Sequence, residues 1–270
     1  MGESAAAPLA YYHFPRWQAL ALGLDLLVLG GSRSFAAEGT RAIHALPLQP
    51  RVEGTERVPA SGPLLLVMNH FERPGLWTFW STFLASHAMR QRRGQQAEVH
   101  WLITAETRGT RYGPLPVPGA LMRWVIGRIS RGYGLITLPA APEETAARAT
   151  ALRSALRALR SGDERSNMVG LLPEGTGGRA LREALPGAGE FLLLAARTGA
   201  AILPVGVAER PENGWALTAT LGAPLDLTPP QKITRAARDQ WARTKVMGGI
   251  ARLLPQDAQG FYRDAASLSE

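Results

Sequence analysis

The chain has 270 residues and a mass of 29.1 kDa, with 46% hydrophobic and 19% charged residues. This composition can bury a core and excludes a disordered chain. The absence of cysteine excludes disulfides, thiolate metal sites and a cysteine nucleophile. The formal charge is +8 and the pI about 10.7; only Lys232 and Lys245 are lysines, so 28 of the 30 cations are arginine. Planar, permanently charged guanidinium forks suit phosphate groups. The balance therefore points to an anionic partner: a phospholipid surface, a phosphorylated small molecule or a nucleic acid. None of the five histidines has metal-ligand spacing, and no zinc site is expected.

In chain order, Leu20 to Gly30 is the most apolar stretch near the start, and Asp25 interrupts it. A helix of this length spans about 16 Å, short of a ~30 Å hydrocarbon core. Neither a transmembrane helix nor a signal peptide is expected from it. Trp17, Leu20, Leu24 and Leu27 recur at helical spacing, which predicts an amphipathic helix that packs on the main domain or lies in a membrane interface.

Beyond residue 50, short apolar runs alternate with helical patterns. Strands are expected at Leu64–Met68, Trp101–Thr104, Leu135–Leu138, Met168–Leu172, Ala201–Val207 and Trp215–Leu221. Their continuous apolarity fits strands covered on both faces. A helix is expected over 142–161, with Pro142, Glu143 and Glu144 at its positive end and Leu152, Leu156 and Leu159 on its apolar face. A last helix, Thr234–Leu254, carries Trp241, Val246, Ile250 and Leu253, and Pro255 stops it. Its basic residues, Arg243 among them, belong on a face turned to solvent or to lipid headgroups. The pattern is an α/β fold, a mostly parallel central sheet flanked by helices. Three parts are expected: an N-terminal helical, membrane-associating segment (1–50), an α/β domain (51–230), and a C-terminal helix and tail (231–270).

Three motifs can carry chemistry. Asn69-His70 follows the strand Leu64–Met68, and carboxyl ends of strands are where open α/β sheets build their sites. A histidine there can act as a general base near neutral pH. Pro173-Glu174-Gly175-Thr176 ends a second apolar strand about a hundred residues on, with Gly177, Gly178 and Arg179 behind it. Arg128 and Arg131, in Gly127-Arg-Ile-Ser-Arg131, form a pair suited to a phosphate monoester.

Asn69-His70, Gly127-x-Ile129-x-Arg131, Pro173-Glu174-Gly175-Thr176 and Leu203-Pro-Val-Gly-Val207, in that order, resemble the four blocks of the PlsC-like glycerolipid acyltransferases, the 1-acyl-glycerol-3-phosphate acyltransferase type. The resemblance covers roughly residues 52–262. It also takes in Gly187-x-Gly189 with the alanine-rich stretch to Gly199, Leu221 to Leu227, and Val246 to Tyr262. Two positions depart from it. The family's first block is His, four residues, then Asp; here the Asp position is Gly75, and Glu72 is the nearest carboxylate in sequence. Gly177 stands where the family usually carries arginine or another polar residue.

The resemblance implies an acyltransferase that moves a fatty acyl group from acyl-CoA or acyl-carrier protein to the hydroxyl of a lysophospholipid such as lysophosphatidic acid. His70 would be its general base, with Glu72 in the place of the dyad aspartate. Asn69, Arg128, Arg131, Glu174, Gly175, Thr176 and Arg179 would bind substrate. It implies no cofactor beyond the acyl donor, no metal and no nucleic acid, and a peripheral or monotopic place on the cytoplasmic face of the cell membrane. Two other classes stand beside it: a catalytically impaired relative that binds lipid or acyl carrier, which Gly75 favours, and an unrelated α/β enzyme or basic nucleic-acid binder.

Overall fold

The computed structural model describes residues 12–14, 16–104, 111–112, 115–116, 118–139, 144–230 and 233–267. In chain order its elements are α1 (Arg16–Gly23), which runs into a π-helical turn (Leu24–Leu29), α2 (Phe35–His44), β1 (Arg51–Glu53), β2 (Leu64–Met68), α3 (Phe79–Arg93), β3 (Val99–Thr104), β4 (Arg111–Tyr112), β5 (Leu115–Pro116), α4 (Gly119–Tyr133), β6 (Ile136–Leu138), α5 (Thr145–Leu159), β7 (Met168–Leu171), α6 (Ala188–Ala196), β8 (Ala201–Arg210), β9 (Ala216–Leu221), α7 (Arg235–Ala251) and α8 (Arg263–Ser267).

Seven strands form one sheet in the order β1-β9-β8-β2-β7-β3-β6, and β4 pairs with β5 in a separate small ribbon. From β8 to β6 every pairing is parallel; β9 runs antiparallel to β8, and β1 follows β9. The mostly parallel α/β sheet read from the sequence is therefore what the chain forms, and all six expected strands are present. Helix 142–161 is Thr145–Leu159 in the structure; Pro142 and Glu143 lie outside the described residues.

Strand periodicity explains the two-sided burial. Leu64, Leu66 and Met68 point to one face, where α2 and α3 supply Phe35, Ile43, Trp80, Phe83 and Leu84. Leu65 and Val67 point to the other, where α5, α6 and α7 supply Leu159, Phe191, Leu192, Val246 and Ile250. Phe35 and Ile43 thus tie α2 into the same core. Arg243 of α7, expected on a face turned to solvent or lipid, is instead buried. It bonds Asp239 Oδ2 at 3.0 Å and the Ala184 carbonyl at 2.8 Å. A guanidinium inside the fold needs such partners, and the sequence pattern did not show them. Asp239 also accepts from Gly187 N and Glu190 N (3.2 and 3.0 Å), so α7 caps the start of α6.

The charge that interrupts the first apolar run has a structural reason. Asp25 accepts from Arg33 at 2.8 Å, and Arg33 also reaches the buried Glu38, which Gln18 and Arg41 bond as well. Burial opposes ionisation of Glu38, but these bonds hold its carboxyl below the usual range. Among the described residues no helix is long and apolar enough to cross a membrane.

Connectivity places the site. β2 leads through α3 to β3 on its right, whereas β7 leads through α6 to β8 on its left, and the two helices lie on opposite faces. The carboxyl ends of the adjacent strands β2 and β7 are thus the topological switch point, where an open α/β sheet leaves a crevice.

One position tests the packing of this centre. A Cβ at Gly170 of β7 would lie within 2.5 Å of the fully buried Trp101 indole, whose Nε1 donates to Ser86 Oγ at 2.9 Å. Gly170→Ala is expected to destabilise the protein by about 1–3 kcal/mol, the range for overpacking a core, read as a lowered denaturant midpoint.

Candidate active site

β2 ends at Met68, and the next four residues continue alongside the loop that follows β7. Asn69 is buried and clasps β8: its Nδ2 donates to the Val207 carbonyl at 2.8 Å, and its Oδ1 accepts from Val207 N at 2.7 Å. Its amide faces backbone rather than the crevice. Gly178 N donates to the His70 carbonyl at 3.0 Å, Glu72 N donates to the Gly178 carbonyl at 3.1 Å, and Phe71 pairs with Gly178 as a parallel bridge. Pairing of β2 with β7 therefore resumes past the strand ends, inside the two motifs.

Glu174 locks the two together. One carboxylate oxygen accepts from His70 N at 3.0 Å, and the other from Arg182 N at 3.2 Å. Gly175, at φ +67°, turns the chain out of β7 under the Leu185 side chain. Thr176 and Arg179 are exposed on the lip of this turn. Burial pushes the Glu174 carboxyl up to about 7; the two backbone bonds and the Arg182 charge pull the other way without cancelling it.

The His70 imidazole has Glu72 Oε2 3.7 Å from its Nε2, an ion-pair distance but too long for a hydrogen bond. Nδ1 is buried and bonds no described residue. Burial first, and the positive charge of Arg182 after it, together lower the imidazole pKa to about 4. The ring is therefore neutral across the physiological range and able to accept a proton.

The position that the resemblance assigns to aspartate belongs to a turn. Arg73-Pro74-Gly75-Leu76 closes through Leu76 N donating to the Arg73 carbonyl at 2.9 Å, and Gly75 has φ +79°. Pro then a positive-φ Gly is the type II pattern, which disfavours a side chain at Gly75. The turn is held from below: Arg73 is buried and paired with Glu209 of β8 through two nitrogens, its Nε at 2.8 Å, and its guanidinium lies over the Tyr12 ring at 5.9 Å. Tyr12 N in turn bonds the Gly75 carbonyl at 3.0 Å.

Among the described residues no hydrogen bond or ion pair links Arg128 or Arg131 to this cluster. They lie in the last turns of α4, just ahead of β6 as expected, but that end of α4 sits at the amino edge of the sheet. His100, beside Val99 at the start of β3, bonds the Gly134 carbonyl at 2.7 Å, and Val99 is level with Met168 and Leu64, the first residues of β7 and β2. Arg128 turns to the N-terminal segment and donates to the Val28 carbonyl at 3.4 Å. The cation that does face His70 is Arg182, which sequence reasoning missed. Its spacing of three from Arg179 was the available signal, but only the fold runs its guanidinium over Gly178.

No protein-family model and no curated protein sequence matches the chain. Among solved structures, it is similar to the crystal structure of the 1-acyl-sn-glycerophosphate (LPA) acyltransferase PlsC from Thermotoga maritima, at 17% identity and a TM-score of 0.48. The match covers 88% of this chain and 93% of that one.

The Glu174 clasp can be tested by its charge. Because its folded pKa of about 7 lies above the ordinary 4.5, its contribution to stability is complete below pH 4.5 and is lost as pH rises through 7. His70, depressed to about 4, contributes with the opposite sign, its share being lost as pH falls below 6.5. Glu174→Gln isolates the first. It should cost about 1–3 kcal/mol at low pH, because one backbone N–H then faces an amide donor. The deficit should narrow as pH rises through 7, measured as urea midpoints of the two proteins.

Proposed function

We propose that the protein is an acyltransferase that moves a fatty acyl group from a thioester, acyl-CoA or acyl-carrier protein, to the free hydroxyl of a lysophospholipid such as lysophosphatidic acid. The observation that carries the reading is the bond from His70 N to Glu174 Oε2 at 3.0 Å. It joins two motifs that the sequence separates by 104 residues, at the switch point of the sheet. The ordered blocks Asn69-His70, Pro173-Glu174-Gly175-Thr176 and Leu203–Val207 supply the chemical class.

In this reading the acceptor oxygen attacks the thioester carbonyl carbon while the neutral His70 imidazole takes its proton. The tetrahedral intermediate collapses, the C–S bond breaks, and the departing thiolate receives the proton back from the imidazolium. No covalent enzyme intermediate, metal or cofactor enters these steps. Glu174 acts on the scaffold: it fixes the His70 backbone and the 182 loop relative to each other. Arg182 and Arg179 are the cations placed to meet the acceptor's phosphate, with Thr176 beside them. Arg128 donates to the Val28 carbonyl of the N-terminal segment instead.

The acceptor lipid and the basic charge suit the surface of a membrane, and the protein is proposed to bind there peripherally, on the cytoplasmic face. Support comes from an unpartnered apolar stripe. Trp17, Leu20, Leu24 and Val28 are 71%, 76%, 57% and 67% exposed along one side of α1 and its π-helical extension. Leu121 and Trp124 of α4 and Trp77 beside the motif turn are exposed too. Contiguous exposed apolar surface rimmed by arginine is characteristic of an interfacial helix. The stripe begins five residues after Tyr12, which is pinned to the Gly75 turn, so the apolar side chains start close to the crevice.

Three outcomes check the reading. His70→Ala should lower transfer of a labelled acyl group from acyl-CoA to lysophosphatidic acid by about 10²–10⁴-fold, the usual worth of a general base; unchanged transfer removes His70 from that role. A wild-type protein with no turnover that nevertheless binds acyl-CoA would favour the impaired, binding-only relative. Replacing Trp17, Leu20 and Leu24 together by Glu should abolish co-sedimentation with anionic phospholipid vesicles without changing the unfolding midpoint, since these side chains touch little of the core. Retained vesicle binding would rule out the stripe as the contact.

A further inference from the structure

One of the two departures from the resemblance, Gly177, lies against the Glu72 side chain. His70 and Glu72 are two residues apart on extended chain, so they share a face, with the buried Phe71 on the other. The Glu72 backbone is pinned by its N–H to the Gly178 carbonyl. Its side chain runs across Gly177. A Cβ built at Gly177 would fall 2.6 Å from Glu72 Cβ and closer still to Oε2, the oxygen that lies 3.7 Å from His70 Nε2. The φ of Gly177 lies outside the left-handed region, so what its missing side chain provides is room rather than conformational freedom. Gly75, for its part, is committed to the type II turn and carries no carboxylate.

We propose that Glu72 is the carboxylate that tunes the basicity of His70, and that Gly177 is the positioning residue whose lack of a side chain admits it. The inference rests on the acyltransferase reading for its catalytic meaning, but the coupling itself is a property of these three residues. Among the described residues, the charged groups that face His70 are Glu72, Arg182 and, on its backbone N–H, Glu174. Arg182 disfavours the imidazolium, and Glu72 is the group placed to favour it. A base held down near pKa 4 is weak, so a carboxylate that stabilises the imidazolium as the proton arrives strengthens the step where it is needed. An alanine at 177 meets the β-carbon of Glu72, which cannot swing aside as a carboxylate tip can, and the whole side chain must leave His70.

The test is a double-mutant cycle read on the His70 imidazole by NMR titration, with the pH profile of acyl transfer beside it. Glu72→Gln and Gly177→Ala should each lower the His70 pKa by about one unit or more, because each removes the same negative charge from its neighbourhood. The double variant should show no further shift, whereas independent effects would add. Acyl transfer should fall in kcat more than it changes KM, and its acidic limb should move to lower pH in both single variants. A Gly177→Ala protein that titrates as wild type, or shifts that add, overturns the proposal. If Gly177→Ala does not fold, Glu72→Gln alone still decides, since an unmoved His70 titration there excludes Glu72 as the tuning group. Wild-type protein without acyl transfer would sink the functional reading, yet the titration would still decide the coupling.

Discussion

The candidate site exists because parallel pairing between β2 and β7 continues past the ends of both strands. Two backbone bonds flank Phe71 and Gly178, and Glu174 adds a third connection through its side chain. Without that zipper the two motifs would be separate loops, each free to wander at the edge of a crevice. With it, His70, Glu72, Glu174, Gly177 and Arg182 hold fixed places relative to one another. A buried carboxylate that satisfies two backbone N–H groups works as a rigid strut, and leaving either donor bare would cost about 1–3 kcal/mol.

Burial does two opposite things at this strut. It raises Glu174 to about 7 and lowers His70 to about 4, so both groups favour their neutral forms more than they would in water. Two titrating groups pushed past each other are a recurrent property of functional sites, although structural networks produce it as well. Here the neutral imidazole has a direct chemical use, because only the unprotonated ring can take a proton from a hydroxyl. The charges around it divide by origin. Arg182 comes from the loop that Glu174 holds; Glu72 comes from the strand continuation that carries His70 itself.

The surroundings show how far the fold goes to keep the turn at Gly75 in place. The buried Arg73 paired with the partly buried Glu209, the Tyr12 ring and the Asn69 clasp to Val207 tie the first motif to β8 and to the segment that leads into α1. A buried ion pair is a weak source of net stability but is strongly destabilising when broken, so it acts as a register device. Through Tyr12, the same contacts join the motif turn to the exposed apolar stripe of α1.

Much of this was legible in the residues. Continuous apolar runs such as Leu64–Met68 declared strands covered on both sides, and the polar residues right after two of them marked the edge where a site could form. Periodicity announced a helix over 142–161, of which Thr145–Leu159 forms, and helical spacing put Trp17, Leu20, Leu24 and Leu27 on one stripe, where Leu27 is half-buried and Val28 is exposed in its stead. Local pattern carries such information because it depends on neighbours in sequence. It could not show that Arg128 turns to the Val28 carbonyl, since that follows from how α4 packs on the N-terminal segment. Nor could it show that Arg243 is buried, that Arg182 faces the imidazole, or that Gly177 makes room for Glu72. Those facts belong to side chains brought together across a hundred residues by strand order, and strand order is decided by how the helices cover the two faces of the sheet.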